Sequence, residues 1–227
     1  MKKFKVKAVN LYGYLNEDKE IQGFEVWEDI IESETKEGLF NMLSNNNQVL
    51  SIEEYFLILD TETTGLDDNA EIVEITIIDS LGKILINELI KPKNKIPQQA
   101  IDIHGITNEM VQDKQPWTYW KNTIESILNN NECYIYNKGY DTKLMEQTSK
   151  QYNLNFDTNC IFKCAMLDYA IYNNEWNPYW GNYRWVKLVN AYENVKKDNK
   201  NIVAHRALGD CIMTLEVVNF LKEKGLI

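Results

Sequence analysis

Three apolar runs divided by short polar breaks limit the folds open to this chain more than any other feature. Glu54 to Asp60 is an apolar run ending in an acid, and its length and residue types read as a buried strand. Glu71 to Asp79 reads as a second strand, Leu81-Gly82-Lys83 as a tight turn, and Ile84 to Ile90 as a third strand ended by Pro92. A mostly helical stretch follows. Pro116 stands where a helix start tolerates a missing N–H, and Trp117, Trp120, Ile124, Ile127 and Leu128 then form one apolar face. Cys133 to Tyr136 reads as a short strand and Tyr140 to Tyr152 as a helix, while Asp157 to Cys164 fits either state. Ala165 to Tyr172, Trp185 to Val195 and Ala207 to Lys224 read as helices. A strand meander followed by alternating strands and helices predicts an α/β fold, a mixed sheet with helices on its faces.

The first 48 residues read differently. Phe4 to Tyr14 and Glu20 to Trp27 are rich in β-branched and aromatic types around Asn16-Glu17-Asp18-Lys19, which predicts a hairpin. Ile30 to Leu43 reads as a short helix. Ser44 to Gln48 is polar and low in complexity, a good linker. The expected organisation is therefore a small α+β extension over residues 1–48 and a larger domain over residues 49–227.

Composition removes several classes. With 44% apolar residues in 227, the chain can build a packed core. No run of about 18 apolar residues crosses a membrane, and the basic N-terminus lacks the apolar stretch of a secretory signal, so a cytoplasmic location is expected. Cys133, Cys160, Cys164 and Cys211 form no Cys-x-x-Cys pair and read as reduced thiols. A net charge of −10 argues against a protein that coats long nucleic acid. It is compatible with one that grips a few nucleotides, because bound cations reverse the charge of an acidic pocket.

Three short segments carry the chemistry. Asp60 and Glu62 stand two apart at a strand end, so the pleat puts both on one face. Paired carboxylates repel unless a cation lies between them, and hard oxygen donors suit Mg²⁺ or Mn²⁺. Thr63-Thr64-Gly65 then turns the chain, with Gly65 allowing close backbone approach. Asn137 and Asp141 follow the Cys133 to Tyr136 strand. His205 and Asp210 are five apart, about 140° around a regular helix. They can converge only if His205 lies in the preceding loop and Asp210 in the first helical turn. Ala207 and Gly209 would keep that turn small where a metal and a phosphate approach. A histidine near its ordinary pKa can take a proton from water at neutral pH.

The order and spacing of these segments resemble the three motifs of the DEDDh 3′–5′ exonucleases: acid-x-acid with Thr-Thr-Gly, Asn-x-x-aromatic-Asp, and His-x-Ala-x-x-Asp. Ile103-His104-Gly105-Ile106-Thr107 also resembles a family segment, and Trp180 to Leu188 resembles phage-type members. The resemblance spans roughly Glu53 to Leu221. It implies a ribonuclease H-like fold with a five-stranded mixed sheet. It also implies two metals on Asp60, Glu62, Asp141 and Asp210, clamping the attacking water and the leaving 3′-oxygen, with His205 as general base. Thr63, Thr64, Gly65 and Leu66 would pack on the terminal nucleotide, with His104, Asn137 and Tyr140 as further substrate contacts. Tyr136 departs from the histidine that family members often have before the Asn of the second motif.

The implied activity is 3′–5′ hydrolysis of single-stranded ends to nucleoside 5′-monophosphates. DNA is the first choice of substrate and RNA the alternative. A DNA polymerase or other replication protein is a candidate partner for the N-terminal residues. A catalytically inactive end-binding module is the rival reading, and the intact set of five residues speaks against it. Trp176, Tyr179, Trp180, Tyr183 and Trp185 read more simply as a loop packed over the core than as a base-stacking surface.

Overall fold

The computed structural model describes residues 1–10, 14–15, 21–22, 26–45, 47–197 and 202–227. The chain forms two compact units, Met1–Phe56 and Leu57–Ile227. In the first, β1 (Lys2–Asn10) lies between β4 (Val26–Ser33) and β5 (Asn47–Tyr55), antiparallel to both. The short strands β2 (Tyr14–Leu15) and β3 (Ile21–Gln22) pair with each other. Phe4, Val6 and Ala8 alternate along β1 and pack with Ile52 and with Leu39 of helix α1 (Lys36–Leu43). Period-2 burial on one face and one covering helix make this the expected α+β extension.

Its internal boundaries differ from the sequence reading. Ile30 and Ile31 belong to β4, not to a helix. The helix starts only after Thr35, whose side chain accepts from the Gly38 N–H and sets the first turn. The division between units falls after Phe56 rather than at the 44–48 linker, because Asn47–Tyr55 extends β-pairing on β1. For the same reason Glu54 to Asp60 is not one strand; the chain leaves β5 at Tyr55 and enters β6 at Leu57. The turn expected at Asn16 to Lys19 lies outside the described residues.

The second unit holds β6 (Leu57–Thr63), β7 (Ile72–Asp79), β8 (Ile84–Leu89), α2 (Gln98–His104), α3 (Asn108–Val111) and α4 (Trp117–Leu128). After them come β9 (Glu132–Ile135), α5 (Lys138–Gln151), β10 (Ile161–Cys164), α6 (Ala165–Asn173), β11 (Trp176–Asn177), β12 (Asn182–Tyr183), α7 (Leu188–Val195) and α8 (Ala207–Glu223). The main sheet has the order β10-β9-β6-β7-β8. The β6-β7-β8 meander is antiparallel, while β9 runs parallel to β6 and β10 parallel to β9. This is the expected mixed five-stranded sheet, and β10 settles the ambiguous Asp157 to Cys164 stretch. Every residue of β7 is buried, with α5 and α8 packed on it, which is why its sequence runs apolar instead of alternating. The expected Trp185 to Val195 helix begins only at Leu188. No helix among the described residues is long and apolar enough to cross a membrane.

Candidate active site

The site forms where β6 ends beside the first turn of α8. Asp60 and Glu62 project from one face of β6, and Asp210 sits in the first turn of α8, as their spacing required. Carboxylate oxygens of these three residues lie within 4.8 Å of one another. Asp141, in the first turn of α5, is not part of that group of three. It is buried, accepts a 2.6 Å hydrogen bond from the Thr61 hydroxyl, and contributes the largest charge repulsion felt by Asp60.

Burial and crowding oppose ionisation here. Desolvation first, then the charges of Asp141, Asp210 and Glu62, push the Asp60 carboxyl well above the usual carboxylate range. Burial raises Glu62 to about 8, with Asp210 adding to it. Asp141 rises to about 7 through burial, moderated by its Thr61 hydrogen bond, and Asp210 rises to about 6 through burial. Divalent cations are the species that such a donor set accommodates, since they remove both the repulsion and the desolvation penalty.

The sign of the resulting pH dependence follows. These carboxyls bind protons more tightly in the folded chain than in the unfolded one. Their favourable contribution is therefore complete below about pH 4 and is lost as the pH rises. Metal-free protein is expected to lose melting temperature between about pH 4 and about pH 8, the interval up to the folded Glu62 value. Thermal scans in chelator across that range check this, and added Mn²⁺ should restore most of the loss at the alkaline end.

The turn after Glu62 is held from three sides. Thr64 receives the Glu71 N–H on its hydroxyl and donates its own N–H to the Glu71 carbonyl. The Tyr140 hydroxyl donates to the Gly65 carbonyl at 2.6 Å, tying the α5 segment to the β6 turn. The Gly65 N–H points to the Thr63 hydroxyl rather than outward. A Cβ on Gly65 would meet nothing within 4 Å, so neither local packing nor its φ demands glycine. Leu66 is 85% exposed at the turn, and Asn137 is exposed at the start of α5 without capping it.

His104 has a structural duty that the sequence did not reveal. It is buried at the end of α2, and its Nδ1 accepts the Ile106 N–H at 3.0 Å. A backbone N–H can only donate, so the ring proton is on Nε2, which donates to the Thr63 carbonyl at 3.1 Å. Burial lowers the pKa of this ring. With both nitrogens on backbone, His104 braces the turn.

One acid was missed altogether. Glu74 faces Glu62 across the β6-β7 ladder and is 3% exposed. It takes a two-pronged bond from Arg206, with 2.5 Å and 3.1 Å contacts, and also accepts the Ala207 N–H at 2.9 Å. Glu74 thus anchors the N-terminus of α8, where a carboxylate also suits the helix dipole. The signal was present as a lone acid inside the apolar run Ile72 to Ile78.

His205 lies in the loop before α8 and is exposed, with φ +59°. Its backbone N–H reaches an Asp210 carboxylate oxygen at 3.3 Å. Left-handed backbone at a non-glycine residue is uncommon and collects at functional sites. Gly209 also has a different role from the one expected. A Cβ there would lie 1.9 Å from the Val203 carbonyl oxygen, so its small size seats the 202–205 loop against α8, not a phosphate. Gly209→Ala must push that loop away. Overpacking of this kind costs about 1–3 kcal/mol, or roughly 2–10 °C of melting temperature. Thermal unfolding and turnover should fall together in this variant. The Asn199 to Asn201 part of the expected loop lies outside the described residues.

The comparisons agree with this geometry. Residues 57–218 match the exonuclease (RNase_T) family. Over 181 residues the chain is 45% identical to the uncharacterized exonuclease CP81 of Escherichia phage 186, covering 77% of this chain and 91% of that one. It is 30% identical over 122 residues to the DNA polymerase III subunit epsilon of Pasteurella multocida, covering 49% of this chain and 47% of the subunit. Among solved structures, exonuclease X in complex with 5′ overhanging duplex DNA has a TM-score of 0.55 at 25% identity, covering 75% of this chain and 93% of that one. The nuclease domain of 3′hExo, a DEDDh family member bound to rAMP, has a TM-score of 0.59 at 15% identity and covers 75% and 92%. An RNase H-like sheet, a cluster of acids on its central strand β6 and at the start of α8, and a histidine in the loop five residues before the last of them thus meet in a chain that belongs to the exonuclease family, as a DEDDh-type 3′–5′ exonuclease acting on nucleic acid.

Proposed function

We propose that the chain hydrolyses single-stranded DNA from its 3′ end to nucleoside 5′-monophosphates with two divalent cations, Mg²⁺ or Mn²⁺. The observation that carries this is the meeting of Asp60, Glu62 and Asp210 oxygens within 4.8 Å, with Asp141 beside them. These four acids would hold the cations, which when bound supply charge neutralisation at the scissile phosphate and a more acidic water. His205, exposed beside Asp210, takes the proton from the attacking water. The water oxygen joins phosphorus, the bond to the preceding 3′-oxygen breaks, and that oxygen leaves with a proton from solvent. The Thr63 to Leu66 turn packs on the terminal nucleotide, with Tyr140 and His104 fixing its shape and Asn137 at its side.

Support for DNA comes from the polymerase III epsilon relatives and from exonuclease X, whose structure holds DNA. The same relatives make a DNA polymerase or another replication protein the proposed partner, with residues 1–48 as the adaptor, in the cytoplasm. The test is a ladder assay with 5′-labelled single-stranded DNA and RNA. Shortening from the 3′ end of DNA is expected with Mg²⁺ or Mn²⁺ and none with chelator. Preferential shortening of RNA would transfer the proposal to that polymer, and no shortening of either would overturn it.

A further inference from the structure

Beyond the acidic cluster, the segment between α6 and α7 has features that the catalytic machinery leaves unused. It folds as the β11-β12 hairpin, closed by Arg184 N–H donating to the Glu175 carbonyl at 2.8 Å. The packing expected of its aromatics is not what forms. Tyr179 is 83% exposed, Trp180 69% and Trp185 62%. Edge-on pairs, Trp176 with Tyr183 at 5.3 Å and Tyr179 with Trp180 at 4.8 Å, fix ring orientation without burying the rings. Trp180, Tyr183, Arg184 and Trp185, with Asn177 and Asn182, line a groove of about 620 Å³.

Three observations select the occupant. Large aromatic faces held open to water are costly for a chain that needs only a loop there, and they are the surface on which nucleobases stack. Arg184 and Lys187 are exposed beside the rings and make no ion pair among the described residues, in a chain of net charge −10. The groove is also tied to the catalytic elements. The Tyr136 hydroxyl donates to the Val186 carbonyl at 2.7 Å, and Tyr136 directly follows β9, only five residues before Asp141. Five residues span at most about 18 Å. The segment then runs into α7, which packs on α8, the helix that carries Asp210.

We propose that this hairpin is a second substrate site, which stacks bases of the single strand a few nucleotides upstream of the scissile bond on Trp180 and Trp185, while Arg184 and Lys187 meet its phosphates. It rests on the exonuclease reading and adds to it an extended grip on the strand. It gives a length dependence to the substrate: short fragments use the catalytic site alone, and longer strands use both.

The test compares a Trp180→Ala/Trp185→Ala double variant, and separately Arg184→Ala, with the wild type. Two substrates are used: the p-nitrophenyl ester of thymidine 5′-monophosphate and a 12-nucleotide single-stranded DNA. For the double variant, KM for the 12-mer should rise about 10- to 100-fold, the range for lost base stacking. Ester hydrolysis should stay within about twofold, and Arg184→Ala should show a smaller rise that shrinks with salt. Tryptophan fluorescence in chelator gives a reading free of turnover: the 12-mer should quench the wild type and quench the double variant far less. An unchanged KM for the 12-mer overturns the proposal and leaves the aromatics to a protein partner. Equal losses on ester and 12-mer also overturn it, since the hairpin would then act on the catalytic site itself. If the wild type cleaved neither substrate yet was quenched, the strand site would stand and the catalytic reading would fall.

Discussion

Asp60→Asn should lower exonuclease turnover by at least about three orders of magnitude while raising the melting temperature of the metal-free protein. Both effects come from one change. Asparagine keeps the shape of the side chain and removes its charge from a position where desolvation and neighbouring carboxylates oppose ionisation. Charge stabilisation by a bound cation is worth several kcal/mol at the transition state, and about 1.4 kcal/mol is a tenfold change in rate. Loss of one ligand from a set of this size therefore corresponds to about 10³ or more. In the absence of metal the same charge is a liability, because Asp141, Asp210, Glu62 and Glu74 all repel it. Opposite signs for activity and stability mark an acid retained for function. The check is paired: steady-state turnover with Mn²⁺ and thermal unfolding in chelator. Turnover within about tenfold of wild type, or a metal-free variant that melts no higher than wild type, would contradict the account.

The second large effect is expected at His205. His205→Ala should lower kcat by about 10²–10⁴, the usual span for a missing general base. Alanine alone leaves an ambiguity, since the residue adopts φ +59° and alanine tolerates that backbone poorly. His205→Asn resolves it. Asparagine enters the left-handed region readily, so it retains the backbone N–H that reaches Asp210 while removing the imidazole. If proton transfer is the role, both variants lose activity to the same extent and both still bind Mn²⁺ by calorimetry. If histidine serves only the loop geometry, the asparagine variant keeps near-normal turnover. A wild-type rate in both would remove the side chain from the mechanism.

The turn after Glu62 shows how far letters can be trusted. Thr63, Thr64 and Gly65 were legible as a turn, but their individual duties were not. The Thr64 hydroxyl is used on Glu71, and the Gly65 N–H on Thr63. His104, expected as a substrate contact, also braces the turn, because both ring nitrogens meet backbone groups more than one residue away. Gly209 looked like room for a phosphate and is filled by a carbonyl from the preceding loop. Each misassignment has the same origin: a small or polar residue near a motif has several possible neighbours, and sequence spacing does not rank them.

The sequence by itself determined the α/β class, the strand meander and the placement of Asp60 and Glu62 on one strand and of Asp210 at a helix start. Those features are encoded locally, in apolar runs, period-2 placement of Asp60 and Glu62, and the five-residue step from His205 to Asp210 that demands a loop and then a helix start. Tertiary structure alone decided that Glu74 anchors α8 through Arg206, that β5 belongs with the first unit, and that the Trp180–Trp185 surface faces water. Those outcomes depend on pairings between residues up to 133 positions apart, as in the bond from the Ala207 N–H to Glu74. Which side chains share such a pairing is fixed by how the sheet and helices pack, and hydropathy patterns along the chain carry no record of it.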